Sequence, residues 1–150
     1  MLPARMTRPR CERALDWLAI QALPADKRSA HLHTGWREEE DAYFYLRTLG
    51  YVIVEPNFGT PRRRCEIDLI GWDQDILAFI EVRTRITRDV KPAEVAVDRD
   101  KQREISLVAR EYLRRVPPSC QWRFDVVSVY YDGQTRHPQF ELFKNAFPAE

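Results

Sequence analysis

Two strand-like runs separated by three residues constrain this chain more than any other feature. Residues 65–72 read CEIDLIGW and residues 76–85 read ILAFIEVRTR, with only Asp73, Gln74 and Asp75 between them. Runs rich in Ile, Val and Phe, closed by so short a connection, predict an antiparallel hairpin. The second run is apolar on both faces through its first half, with Ile76, Ala78 and Ile80 on one and Leu77 and Phe79 on the other. Such a strand is covered on both sides, so it lies at the centre of a sheet. Glu81 and Arg83, which follow on the face of Leu77 and Phe79, therefore emerge at the edge of a core.

A two- or four-residue loop centred between Gln74 and Asp75 sets a register in which Trp72 faces Leu77 and Ile70 faces Phe79. Continued, that register places Asp68 opposite Glu81 and Glu66 opposite Arg83. Directly opposed Cβ atoms are about 5 Å apart, where two carboxylates repel by roughly 3 kcal/mol at an effective dielectric of ~20. A bound cation removes the penalty. Mg²⁺ takes one or two carboxylates and completes its octahedron with water and phosphate oxygen, which suits this pair. A proton shared by the two carboxyls is the other physical escape. A lone strand carboxylate is ordinarily a solvated charge, but the two apolar cross-strand pairs below Asp68 and Glu81 weigh against that here.

The flanking sequence supplies the rest of an α/β domain with a mixed sheet. Residues 36–49 predict a helix ended by Gly50, with Ala42, Tyr43, Leu46 and Leu49 as its buried stripe; extended backward, the stripe lands on Glu39. Residues 51–55 (YVIVE) predict a strand, and the turn formers Pro56, Asn57, Gly59 and Pro61 predict a loop over 56–64. A second helix is expected over 98–116, where Ile105, Val108, Ala109, Tyr112, Leu113 and Val116 form a stripe ended by Pro117-Pro118. Its early residue Lys101 lies in line with Ile105 and Val108, aimed along the packed face, with Gln102 beside it. Further strands are expected over 121–131 and 139–143, around a turn at Asp132-Gly133. The chain divides into an arm, residues 1–33, partly helical or flexible, and a domain over residues 34–150.

The 150 residues carry a net charge of only +1, so the total neither favours nor excludes nucleic acid. Its distribution is more telling. The arm holds six basic residues against three acidic. Arg62, Arg63 and Arg64 lead into the Asp68 strand, and Arg85 and Arg88 leave the Glu81 strand on the same side of the hairpin. A run of charge is usually a solvated loop; flanking a proposed metal site, these become a rim for phosphate contacts. Cys11, Cys65 and Cys120 show no CxxC or Cys/His spacing, which argues against a disulfide framework or a zinc site and suits a reducing cytoplasm. No stretch approaches the roughly 20 apolar residues of a membrane span.

Glu39 on a helix, Glu-Ile-Asp-Leu-Ile at 66–70, Phe-Ile-Glu-Val-Arg-Thr-Arg at 79–85, Lys101-Gln102 on a second helix and Arg-Phe-Asp-Val-Val at 123–127 occur in that order. Together they resemble the YraN family of predicted endonucleases, which is similar to archaeal Holliday-junction resolvases and the PD-(D/E)xK nuclease superfamily. The resemblance covers residues 35–144. It implies a restriction-endonuclease-like three-layer core, a central mixed β-sheet flanked by helices. It also implies a Mg²⁺- or Mn²⁺-dependent endonuclease that hydrolyses phosphodiester bonds of DNA, branched or junction DNA included, and that works as a homodimer.

Carried over by position, the metal-binding acids fall on Asp68 and Glu81, the pair that the register also brings together, and the helical acid on Glu39. Arg83 stands where the superfamily has Lys. Arg stays charged, so it can hold Glu66 or stabilise a pentavalent phosphate but cannot act as a general base. The expected catalytic set is Glu39, Asp68, Glu81, Arg83 and Lys101, with Arg62, Arg63, Arg64, Arg85 and Arg88 on the nucleic acid. The Arg83 departure motivates an alternative, a DNA-binding module of the same fold that does not cut. A purely structural hairpin, with Asp68 and Glu81 apart, is the third reading.

Overall fold

A computed structural model describes residues 32–85, 97–131 and 137–150. Its elements are helix α1 (Leu32–Thr48), strands β1 (Val52–Gly59), β2 (Glu66–Asp73) and β3 (Ile76–Arg85), helix α2 (Arg99–Leu113), and strands β4 (Gln121–Tyr130) and β5 (Gln139–Phe147). The five strands form one sheet in sequence order. All neighbours are antiparallel except β3 and β4, which run parallel with α2 in the connection between them, so the sheet is mixed and β3 is its centre.

The apolar faces of β3 decide the layering. Leu77 and Phe79 pack with Ile70, Phe124 and Val126 beneath Ile105, Val108 and Ala109 of α2. Ala78 and Ile80 pack with Ile53, Leu69, Val127 and Val129 against Ala42, Tyr43 and Leu46 of α1. The molecule is therefore an α/β fold of helix, sheet and helix, as expected, with one core on each side of the sheet. No described helix is long and apolar enough to cross a membrane.

The elements depart from expectation at their ends. Backbone helix begins at Leu32, inside the segment assigned to the arm; residues 1–31 lie outside the described residues. Helix α1 stops at Thr48, with Gly50 at φ 92°, a conformation that favours glycine after a helix. Leu49 thus turns off the predicted stripe and is 48% exposed. Strand β1 does not end at Glu55 but continues through Pro56 to Gly59. Proline lacks the N–H a central strand needs, but β1 is an edge strand and tolerates it. Helix α2 takes Asp98 as its N-cap, the Asp98 carboxylate accepting from the Lys101 N–H at 2.9 Å, and ends at Leu113, short of Val116. Strand β4 ends at Tyr130 and β5 runs past Phe143 to Phe147. The expected turn at Asp132-Gly133 and Arg88 lie outside the described residues.

Candidate functional site

The β2–β3 ladder pairs Trp72 with Leu77 and Ile70 with Phe79, as the loop geometry predicts, and its last pair is Leu69 with Ile80. The strands are not simply continued beyond it. The Asp68 carboxylate takes the place of a ladder partner: its Oδ2 accepts the backbone N–H of Val82 at 2.7 Å. Strict alternation in β2 also fails here, because Ile67 enters the α2-side core whereas Leu69, two residues on, enters the α1-side core. The backbone of β1 is distorted at the same level, with Asn57 at φ 50°. Asp68 thus lies where the sheet loosens between its two helical layers.

Glu81 is placed by the regular part of β3. It follows Leu77 and Phe79 on the α2 side and is 5% exposed. Its Oε1 meets Arg83 Nη2 at 3.3 Å and Lys101 Nζ at 3.5 Å. Lys101 is there because the Asp98 cap fixes the first turn of α2. Glu81 Oε2 is buried with no hydrogen-bond partner among the described residues. Of the two roles open to Arg83, holding Glu66 is not the one seen: Arg83 leans along its own strand to Glu81, and Glu66 is exposed at the start of β2. The reach is physical, since residues two apart on a strand share a face.

The electrostatics follow from burial and crowding. Burial, then the charge of Asp68, pushes the Glu81 carboxyl up from 4.5 to about 7, against the pull of Lys101 and Arg83. Burial likewise raises Asp68, although the Val82 N–H, Lys101 and Arg83 all favour its charged form. Glu39, half-buried on α1, is raised from 4.5 to about 7 by burial and by Asp68, with a hydrogen bond to Asn57 opposing. Lys101 is held above its ordinary value because Glu81, Cys65 and Asp68 outweigh its burial. Glu39, Asp68, Glu81, Arg83 and Lys101 thus form one electrostatic neighbourhood across two helices and two strands.

A divalent cation fits part of this set. A buried and a partly buried carboxylate whose ionisation is disfavoured, the buried one with an unpartnered oxygen, are what a hard cation relieves. Among the described residues, however, no three His, Cys, Asp or Glu side chains are gathered into a ready cage, so Glu39 stands outside the pair. Of the basic rim, Arg62 and Arg64 are exposed, while Arg63 is tied to Glu104 of α2 at 3.4 Å; Arg85 is partly buried at the end of β3. Gln102 donates to the Val97 carbonyl at 2.7 Å and so closes the helix start. Asn57 is the partner that sequence reasoning missed. In a Pro-Asn-x-Gly string it reads as a turn former, and nothing local signals that its side chain meets Glu39.

The profile of the uncharacterised protein family UPF0102 matches residues 38–129, a span that encloses this neighbourhood from Glu39 to Lys101. A UPF0102 protein of Koribacter versatilis is 49% identical over 83% of this chain and 86% of its own length. Others from Solibacter usitatus (40% over 73% and 81%) and Desulfosudis oleivorans (39% over 77% and 89%) align almost as fully. A profile match over more than half of the chain, with relatives aligned over most of their own length, places the chain in the uncharacterised protein family UPF0102, the YraN family that its strand motifs resemble.

Proposed function

We propose that this protein is a metal-dependent nuclease that hydrolyses phosphodiester bonds of DNA. The observation that carries the reading is the juxtaposition of partly buried Asp68 with buried Glu81, whose ionisation the charge of Asp68 makes costlier, with Glu81 Oε2 left without a partner among the described residues. Asp68 and Glu81 would hold Mg²⁺ or Mn²⁺. When bound, the cation supplies Lewis-acid stabilisation of charge on the phosphate. Arg83 and Lys101 stay cationic and stabilise the same developing charge. Neither can accept a proton, so water activation falls to a carboxylate; Glu39, which titrates near neutrality, is suited to take that proton. The exposed Arg62 and Arg64 contact backbone phosphate without reading sequence.

One observation favours the alternative, a DNA-binding module that does not cut. Glu81 Oε1 already has two cationic partners, so the site is partly charge-balanced without metal. A cleavage panel on linear, flapped and four-way DNA, with Mg²⁺ and Mn²⁺ varied, decides. The nuclease reading expects metal-dependent products and at least about a 100-fold loss in Asp68→Ala and Glu81→Ala. Binding with no cleavage of any substrate overturns it in favour of the module.

A further inference from the structure

A row of polar side chains continues along the α2-facing side of the sheet beyond Glu81. Residues two apart share a face, so Arg83 and Arg85 follow Leu77, Phe79 and Glu81. In the parallel ladder Arg83 is the partner of Ser128 and Arg85 of Tyr130, and Phe124 and Val126, earlier on that face of β4, lie in the α2-side core. Buried polar atoms nearly always find a partner. Three in this row have none among the described residues: Arg83 Nε, Arg85 Nη2 and Ser128 Oγ. Ser128 is 0% exposed; its hydroxyl lies by that of Tyr130, which is already given to Glu141, so burial is weakly compensated.

The nearby acids do not explain the row. Glu81 is taken by Arg83 and Lys101. Glu141, across the β4–β5 ladder from Ser128, accepts the Tyr130 hydroxyl at 2.8 Å. Among the described residues, two guanidinium groups and a hydroxyl remain as donors short of an acceptor. The complement of such a set is a compact anion with several acceptor oxygens, and guanidinium forks match phosphate in shape as well as charge.

We propose that Arg83, Arg85 and Ser128 form a seat for a phosphate group beside the Asp68–Glu81 site. Resting on the nuclease reading, the phosphate is a backbone phosphodiester next to the one that is cut. Arg83 and Arg85 are both partly exposed and meet it first. Among the described residues the Arg83 side chain is held toward Glu81 by a single 3.3 Å contact; its shift admits a phosphate oxygen to the buried Ser128 hydroxyl.

The test uses the full chain and two probes. Inorganic phosphate, titrated at constant ionic strength, is expected to raise the Tm of the wild type saturably, with Ser128→Ala and Arg85→Gln each needing about tenfold more, the usual effect of losing one charge-assisted hydrogen bond. Arg114→Gln, an equal charge loss at a side chain 75% exposed, should track the wild type. Ser128→Ala without phosphate should melt close to the wild type, since Tyr130 keeps its bond to Glu141 without it, so weaker binding cannot be read as misfolding. The second probe is labelled four-way DNA in EDTA, its affinity measured by anisotropy. Weakening by the same variants assigns the seat to a nucleic-acid phosphate. Phosphate protection lost in the variants with DNA affinity unchanged assigns it to a free phosphate compound, and the seat then stands apart from the nuclease reading. Variants that match the wild type toward both probes overturn the seat, and the cleavage panel still judges the nuclease reading independently.

Discussion

Glu81 illustrates how a single side chain can be costly to the fold and useful to the site. Its folded carboxyl titrates at about 7 against an ordinary 4.5, so the folded state holds a proton the unfolded chain has released. For an acid raised in this way stability is greatest below about 4.5 and declines as pH rises toward 7. Glu39 acts in the same direction. Asp73 acts in the opposite one: despite its burial, hydrogen bonds from Lys144 and Arg123 hold it below the usual range, so its contribution is lost only in stronger acid. Stability without metal should therefore peak between about pH 4 and 5, a crossing set by ordinary carboxylate values of ~4. Glu81→Gln removes the larger buried charge. At pH 8 and in EDTA it should melt higher than the wild type by about 5 °C, corresponding to about 2 kcal/mol, and the gain should vanish at pH 4.5. Added Mg²⁺ should stabilise the wild type and not this variant. Melting curves at the two pH values, with and without Mg²⁺, check both signs; a variant that melts lower at pH 8 contradicts the account.

At the scale of elements, the regular parts of the fold were legible and the irregular parts were not. Period-two runs and a short loop determine the 72–77 and 70–79 pairs, because a slip of one residue would turn every apolar side chain to the wrong face. The same periodicity could not foresee that the ladder stops at Leu69 and Ile80, that Asp68 bonds the Val82 N–H, or that Ile67 and Leu69 enter different cores, since each depends on the distorted edge strand β1. Pro56 and Asn57 read as loop for the same reason: whether a strand lies at an edge is a property of the whole sheet. Arg83 was placed on the correct face, but its partner was not legible, because a long side chain chooses between neighbours by local field. Lys101 was legible as aimed at the packed face, and the cap explains its precision. Asp98→Ala removes the acceptor of the Lys101 N–H and should cost about 1 kcal/mol of stability. Its effect on cleavage should exceed that on folding, because the turn that carries Lys101 to Glu81 frays. A denaturant midpoint and a kcat at saturating DNA separate the two; a fall in stability with kcat unchanged would remove Lys101 from the site.

The whole molecule is tied together at the hairpin-tip end of the sheet by a network that the Arg-Phe-Asp string does not reveal by itself. Asp125, 0% exposed, accepts from Arg123 Nε at 2.7 Å, the Tyr51 hydroxyl at 2.9 Å and the Asn145 N–H at 2.9 Å. Arg123 also reaches Asp73 at 2.6 Å, which Lys144 meets at 2.7 Å. These contacts join the entrance of β1, the end of β2, the start of β4 and the end of β5, so the network spans the sheet around the central strand that carries Glu81. Truncating Asp125 takes one acceptor from Arg123 and strands the Tyr51 hydroxyl and the Asn145 N–H, and breaking a buried ion pair costs about 3–5 kcal/mol. Asp125→Ala should lose that much in urea unfolding with an unchanged m-value, since the same surface is exposed. The companion double variant Asp125→Leu with Arg123→Met removes both charges together and should recover part of the loss, because a buried pair replaced by packed apolar groups is often neutral while the Tyr51 hydroxyl and the Asn145 N–H still lack their acceptor. If the network only holds the sheet, the double variant should also regain DNA cleavage under conditions where it is folded. A stable, folded double variant that binds DNA but does not cut would instead mean that the network sets the spacing of Asp68 and Glu81 through β2 and β3, a reach that stability alone does not require.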